Sequence, residues 1–204
     1  MIFFTTTQQF AGCLPPLAAI LDGATTGKTM SLVTELERLA DTLATDATSA
    51  PEVSLPSVAE RIAKNQNVKP GEVAILGLSL RWRHLYFLVP EALKHVGHIP
   101  LTSNSALAAR TARESRPEIN NAFASVKHVT VFEGVKTGAE AAEAIQKIIS
   151  APILVGEKVV GVIQISRKGP SIKDAGPDFT PGDLGKVLAL CKPLGRLLQH
   201  LASE

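Results

Sequence analysis

A chain of 204 residues is long enough for one well-filled domain with extra helices, and 45% apolar against 20% charged residues excludes a disordered chain. The net charge of +2 comes with 21 basic residues scattered singly or in short pairs such as Arg167-Lys168, so no electrostatic footprint for nucleic acid or an acidic membrane is present. Two cysteines, Cys13 and Cys191, lie near opposite ends of the chain and make neither a disulfide framework nor a C-x-x-C metal pair. No apolar run reaches the roughly 18–20 residues of a membrane-spanning helix, and no basic segment precedes Met1-Ile2-Phe3-Phe4. The expected compartment is a reducing cytoplasm.

Residues 1–28 mix an apolar start, Pro15-Pro16 and a Gly/Thr-rich stretch, and read as an arm that wraps the domain or makes a subunit contact. A single domain follows over 29–204. Leu32, Leu36, Leu39 and Leu43 recur at spacings of four, three and four, which predicts an amphipathic helix over 29–47. Ser57 and Glu60 have the spacing of a capping box and predict a second, short helix. Lys69-Pro70-Gly71 is a turn, after which Val73 to Leu80 and His84 to Val89 read as a β-hairpin. Ser103, Asn104 and Ser105 give a polar start to a helix that stops before Pro117, and the Ala- and Glu-rich run 138–147 predicts another. Ile148 to Val155, Gly156-Glu157 and Lys158 to Ser166 form strand, type II′ turn and strand. The second of these strands is apolar through most of its length and so is predicted to be central in the sheet. Thr180-Pro181 opens a last helix, whose stripe is Leu184, Val187, Cys191, Leu194, Leu198 and Leu201. Two hairpins need one another to bury a face, so the fold class is α+β, with helices on an antiparallel sheet.

The segment Ala151-Pro152-Ile153-Leu154, Gly156 to Ile165 and Phe179-Thr180-Pro181-Gly182-Asp183-Leu184 resembles the last third of a GAF domain. Ser105 to Thr111, followed by Arg116-Pro117-Glu118-Ile119-Asn120, is similar to that family's central helix and the strand after it. The resemblance covers about residues 30–201. It implies a central antiparallel sheet with N- and C-terminal helices packed on one face and a ligand pocket on the other. It also implies a bacterial-type regulatory role and dimers built through the terminal helices. The Asn-Lys-Phe-Asp-Glu signature of cyclic-nucleotide-binding members does not occur. Neither cysteine falls where bilin-binding members attach their chromophore, and two terminal cysteines do not match the several pocket cysteines of members that reduce free methionine sulfoxide.

Gly23-Ala24-Thr25-Thr26-Gly27-Lys28-Thr29 looks like a phosphate-binding loop, but three residues separate the glycines where the motif needs four, and Asp22 stands where the first glycine belongs. It reads as a flexible turn. His95 and His98 are three apart, yet Gly97 lies between them and no acid lies within three residues of either, so no metal site is predicted. His84 would at most line a pocket. Glu140 and Glu143 form a solvated helix face, and no residue set supports nucleophilic catalysis. The candidate ligand region is 101–133. There Ser103, Asn104 and Ser105 would offer free N–H groups at a helix start. Asn120, Asn121, His128 and Glu133 are interleaved with Phe123 and Phe132, the mixture a pocket uses. Arg81-Trp82-Arg83 reads as an exposed hairpin tip.

The expected function is a stand-alone regulatory domain that senses a small molecule and signals in trans or through oligomerisation, without catalysis or a cofactor. The alternative is a ligand-free dimerisation or protein-interaction module. In both, Leu32, Leu36, Leu39 and Leu43 with Val187, Leu194, Leu198 and Leu201 would build a homodimer, and the ligand and signalling partner are left open.

Overall fold

The computed structural model describes residues 30–45, 54–95, 97–126 and 143–201. The chain makes α1 (Leu32–Thr45), α2 (Leu55–Gln66), β1 (Val73–Ser79), β2 (His84–Val89), β3 (His98–Pro100), α3 (Leu107–Glu114), β4 (Glu118–Asn120), β5 (Ile145–Val155), β6 (Lys158–Lys168) and α4 (Pro181–Leu201). The strands form one six-stranded sheet in the order β3-β2-β1-β6-β5-β4, with every neighbouring pair antiparallel. The apolar strand β6 is central, as its composition predicts, and its pairing with β1 joins the two hairpins. Gly156 has φ +60°, the sign that a type II′ turn demands of its first central residue.

The sheet has a core on each face. On one side Val73, Ile75, Ile149, Ile153, Ile163 and Ile165 meet α1, α2 and α4 through Leu36, Ile62, Val187, Leu190 and Leu194. On the other, Ala74, Leu76, Leu85, Phe87, Ile148 and Val162 meet α3 through Leu107, Ala108 and Ala112. The terminal helices therefore share a face, as expected, and α3 is set apart on the opposite one. Alternation along the strands does this sorting, because successive side chains point to opposite faces. α4 lies so close to β5 that a Cβ on Gly195 would press on the Leu154 carbonyl oxygen, which confines that position to glycine.

Three local expectations are corrected. The second helix starts at Leu55 after Ser54, not at Ser57, because Pro56 fits the first turn, where its missing N–H costs nothing. The third starts at Leu107, so Ser103 to Ser105 lie ahead of it in a turn. Ile145, Gln146 and Lys147, read as the end of an Ala/Glu-rich helix, belong to β5, where pairing with Arg167 and Lys168 of β6 overrides helix propensity. The rest of that predicted helix, residues 138–142, lies outside the described residues, as does the arm 1–28 with its phosphate-loop-like turn. Thr180 caps α4 as predicted: its hydroxyl accepts from the Asp183 N–H at 3.2 Å while the Asp183 carboxylate accepts from the Thr180 N–H at 3.0 Å.

Candidate functional site

The turn Leu101–Ala106 is closed by its own side chains. The Ser103 hydroxyl accepts from the Ala106 N–H at 3.2 Å, and Arg113 Nη1 donates to the carbonyls of Leu101 and Ser103 at 2.5 and 2.8 Å. Asn104 and Ser105 are exposed. Because α3 begins at Leu107, the helix-terminus argument for anion binding does not apply to these three residues. From the middle of α3, Arg110 Nη2 donates to both oxygens of Glu118 at 2.8 and 2.7 Å and ties the helix to β4. Asn120 Oδ1 accepts from the Ala122 N–H in a local turn, and Asn121 holds the backbone of Phe179 with both ends of its amide. His128, Phe132 and Glu133 lie outside the described residues.

The α3 face of the sheet carries polar side chains the sequence reading did not select. Thr111 of α3, Ser150 of β5 and Gln164 of β6 are all buried. Thr111 Oγ1 and Ser150 Oγ share a hydrogen bond of 2.7 Å, and Gln164 Nε2 donates to Ser150 Oγ at 3.3 Å. Ser150 and Gln164 are direct partners across the β5–β6 ladder, and one step along the same face Ser166 donates to the Glu72 carbonyl at 3.0 Å. The signal was in the alternation: Gln164 and Ser166 continue the side of β6 that holds Val162, where an all-apolar core would place another aliphatic residue.

Clefts also open elsewhere among the described residues. One, of about 410 Å³, is lined by Ser79, Trp82, His84, Tyr86, Lys94 and His98. The ring of Tyr86 lies against Gly77, where an added Cβ would come within 2.6 Å of it. His98, weighed in the sequence with His95, instead faces His84 across the β2–β3 pair, with ring centroids 4.1 Å apart. Trp82 is exposed at the hairpin tip, with the Arg81 guanidinium 4.8 Å from its ring centre. The second cleft, of about 420 Å³, opens between the end of α2, the end of β6 and the Gly169–Gly176 loop. Among the described residues no three His, Cys, Asp or Glu side chains group closely enough to hold a metal ion, and no helix is long and apolar enough to cross a membrane.

Much of the leucine stripe is used inside the subunit. Leu36, Val187, Leu194 and Leu198 are buried in the core between the helices and the sheet, and Leu32, Leu39 and Leu43 pack against it. Leu201 and Leu188 are the large apolar side chains that α4 leaves exposed. Cys191 is buried on the same helix, and desolvation pushes its thiol up to about 12.

No protein-family model matches the sequence, and no curated protein matches it. Among solved structures, the GAF domain of a phosphoenolpyruvate-protein phosphotransferase from Acinetobacter aligns over 85% of this chain and 97% of its own, at 18% identity and a TM-score of 0.56. The chain has the GAF fold. Other structures sharing the GAF fold differ in what they belong to. Residues 122 to 287 of a methyl-accepting chemotaxis protein align over 85% of this chain and 99% of theirs, at 12% identity and a TM-score of 0.53. A free methionine-R-sulfoxide reductase from Thermoplasma acidophilum aligns over 80% and 95%, at 16% identity and 0.51. The GAF fold thus occurs among these neighbours both in a signalling protein and in an enzyme.

Proposed function

We propose that this chain is a non-catalytic regulatory domain that holds a small molecule on the α3 face of its sheet and passes the signal to a partner protein or to a second copy. The observation that carries this reading is the buried cluster Thr111–Ser150–Gln164. Polar groups in a core are retained only where hydrogen bonds offset their burial, and a few convergent ones within apolar surroundings are what orients a small ligand. Ser103, Asn104, Ser105, Asn120, Asn121, His128, Phe132 and Glu133 are the proposed contacts of the ligand. The absence of thiol catalysis at Cys191 is proposed on its burial: a thiol pushed up to about 12 holds almost no thiolate near neutral pH, and thiolate is the reactive form.

A ligand-free dimerisation module is the second reading, favoured by Leu188 and Leu201 exposed along α4. Native mass spectrometry of the purified chain separates the two. Retained mass that disappears in a Gln164→Leu variant with an unchanged fold supports the sensor. Retained mass that persists in that variant contradicts the proposed pocket floor, and a dimer without added mass that becomes monomeric in Leu188→Asp supports the module.

A further inference from the structure

We propose that the cleft beside Arg167 is a second binding site, distinct from the α3 face, that takes a small oxyanion (a phosphate or carboxylate group) on the side edge of the Arg167 guanidinium. Lys147 and Arg167 are direct partners across the β5–β6 ladder, so two cations lie side by side at this end of the sheet. Their situations differ. Lys147, with its side chain 4% exposed, pairs with Asp178 at 2.7 Å and donates to the Gly176 carbonyl at 2.6 Å. Arg167 makes no ion pair among the described residues. Its Nη1 donates to the Asn67 carbonyl at 3.2 Å, Nη2 has no hydrogen bond among the described residues, and Nε is buried without an acceptor.

The unpartnered edge is thus the Nε–Nη2 pair, two parallel N–H groups at the spacing of two oxygens of one carboxylate or phosphate; Nε is closed to solvent, so a bound anion reaches it by displacing part of the cleft wall. A partly buried guanidinium without a counter-charge is costly, and a bound anion removes that cost. The guanidinium is also held in place. It lies 4.7 Å from the centre of the Phe179 ring, and the Phe179 backbone is gripped by Asn121.

The carboxylates of the cleft do not answer this charge. Glu72 is already held by the N–H groups of Lys69 and Lys168 at 2.7 and 2.6 Å, Asp174 by the Ser171 hydroxyl at 2.5 Å, and Glu143 by Lys69 at 3.7 Å. Lys69, Arg167 and Lys168 all line the cleft, whose volume of about 420 Å³ accommodates a phosphate or a small organic acid.

The test titrates inorganic phosphate and, separately, acetate into the full chain while following the backbone N–H resonances of Lys168 and Gly176. Saturable shifts of both are expected with at least one anion, and the tighter of the two identifies the source of the oxyanion. Arg167→Lys keeps the charge but loses the fork, and is expected to weaken binding about tenfold. Glu143→Gln removes a negative charge from the wall and releases Lys69, and is expected to tighten binding several-fold, a gain that misfolding cannot imitate. Absence of saturable shifts with both anions, or unchanged affinity in both variants, overturns the proposal.

Discussion

The Asn121 side chain and the Phe179 backbone exchange two hydrogen bonds across 58 positions of sequence: Nδ2 donates to the Phe179 carbonyl at 3.0 Å, and the Phe179 N–H donates to Oδ1 at 2.9 Å. The amide imitates a strand partner, and it fixes the segment leading into α4 against the end of β4. Asn121→Ala leaves both backbone groups of a buried Phe179 unpaired, so it is expected to destabilise the fold by about 2 kcal/mol, read as a lower urea midpoint with an unchanged m-value. Asn121→Asp keeps only the acceptor and is expected to fall between the two.

Leu194 and Leu188 sit on different sides of α4, about 120° apart around its axis, the first wholly buried and the second 40% exposed. Leu194→Ala is expected to cost about 2–5 kcal/mol through lost transfer energy and a residual cavity. Leu188→Asp should stay within about 0.5 kcal/mol of the parent in the same denaturation experiment. The contrast makes Leu188 the usable probe of assembly, since a charge at Leu36 or Leu194 would break the subunit itself.

Asp183 supplies a pH dependence of known sign. The Thr180 hydroxyl, then the Thr180 N–H, then Lys186 hold its carboxyl down from 3.8 to about 2. A depressed folded-state value means that the stabilisation is complete above the unfolded value and is lost as pH falls from about 4 toward 2. The stability difference between the parent and Asp183→Asn should therefore be constant near neutral pH and shrink steadily below pH 4, measured by urea unfolding at stepped pH.

Cys191 should behave as an inert thiol. With its thiol raised to about 12 by burial and its Sγ donating to the Val187 carbonyl at 3.4 Å, native protein at pH 8 is expected to resist iodoacetamide at this position. Peptide mapping before and after addition of urea distinguishes it from Cys13. Rapid native labelling of Cys191 would contradict the packing of α4 on the sheet.

Local chemistry made some elements legible in the sequence and long-range pairing hid others. The β5–turn–β6 hairpin and the start of α4 were read correctly because Gly156 and Thr180-Pro181 carry their own backbone instructions. Strand β3, three residues from His98 to Pro100, is too short to show a period and exists because β2 templates it. Ile145 to Lys147 were misread because their helix-favouring neighbours Glu143 and Ala144 say nothing of β6, more than a dozen residues further on. In the candidate site, the polar alternation of Gln164 and Ser166 was visible, but only the fold puts Thr111 above Ser150. Arg167 looked like one of a scattered basic pair, since a missing partner is a fact of three dimensions.

The central place of β6 has a consequence for how the molecule comes into being. The hairpin of β1 and β2 and the strand pair of β4 and β5 share no ladder; each is joined to the other only by the strand that is synthesised last. Until Lys168 has left the ribosome, β1 and β5 each present an open edge, and edges of this kind recruit other chains. A nascent chain stopped at the Gly156 turn should accordingly depend on chaperones and aggregate, while one extended through β6 closes its own sheet.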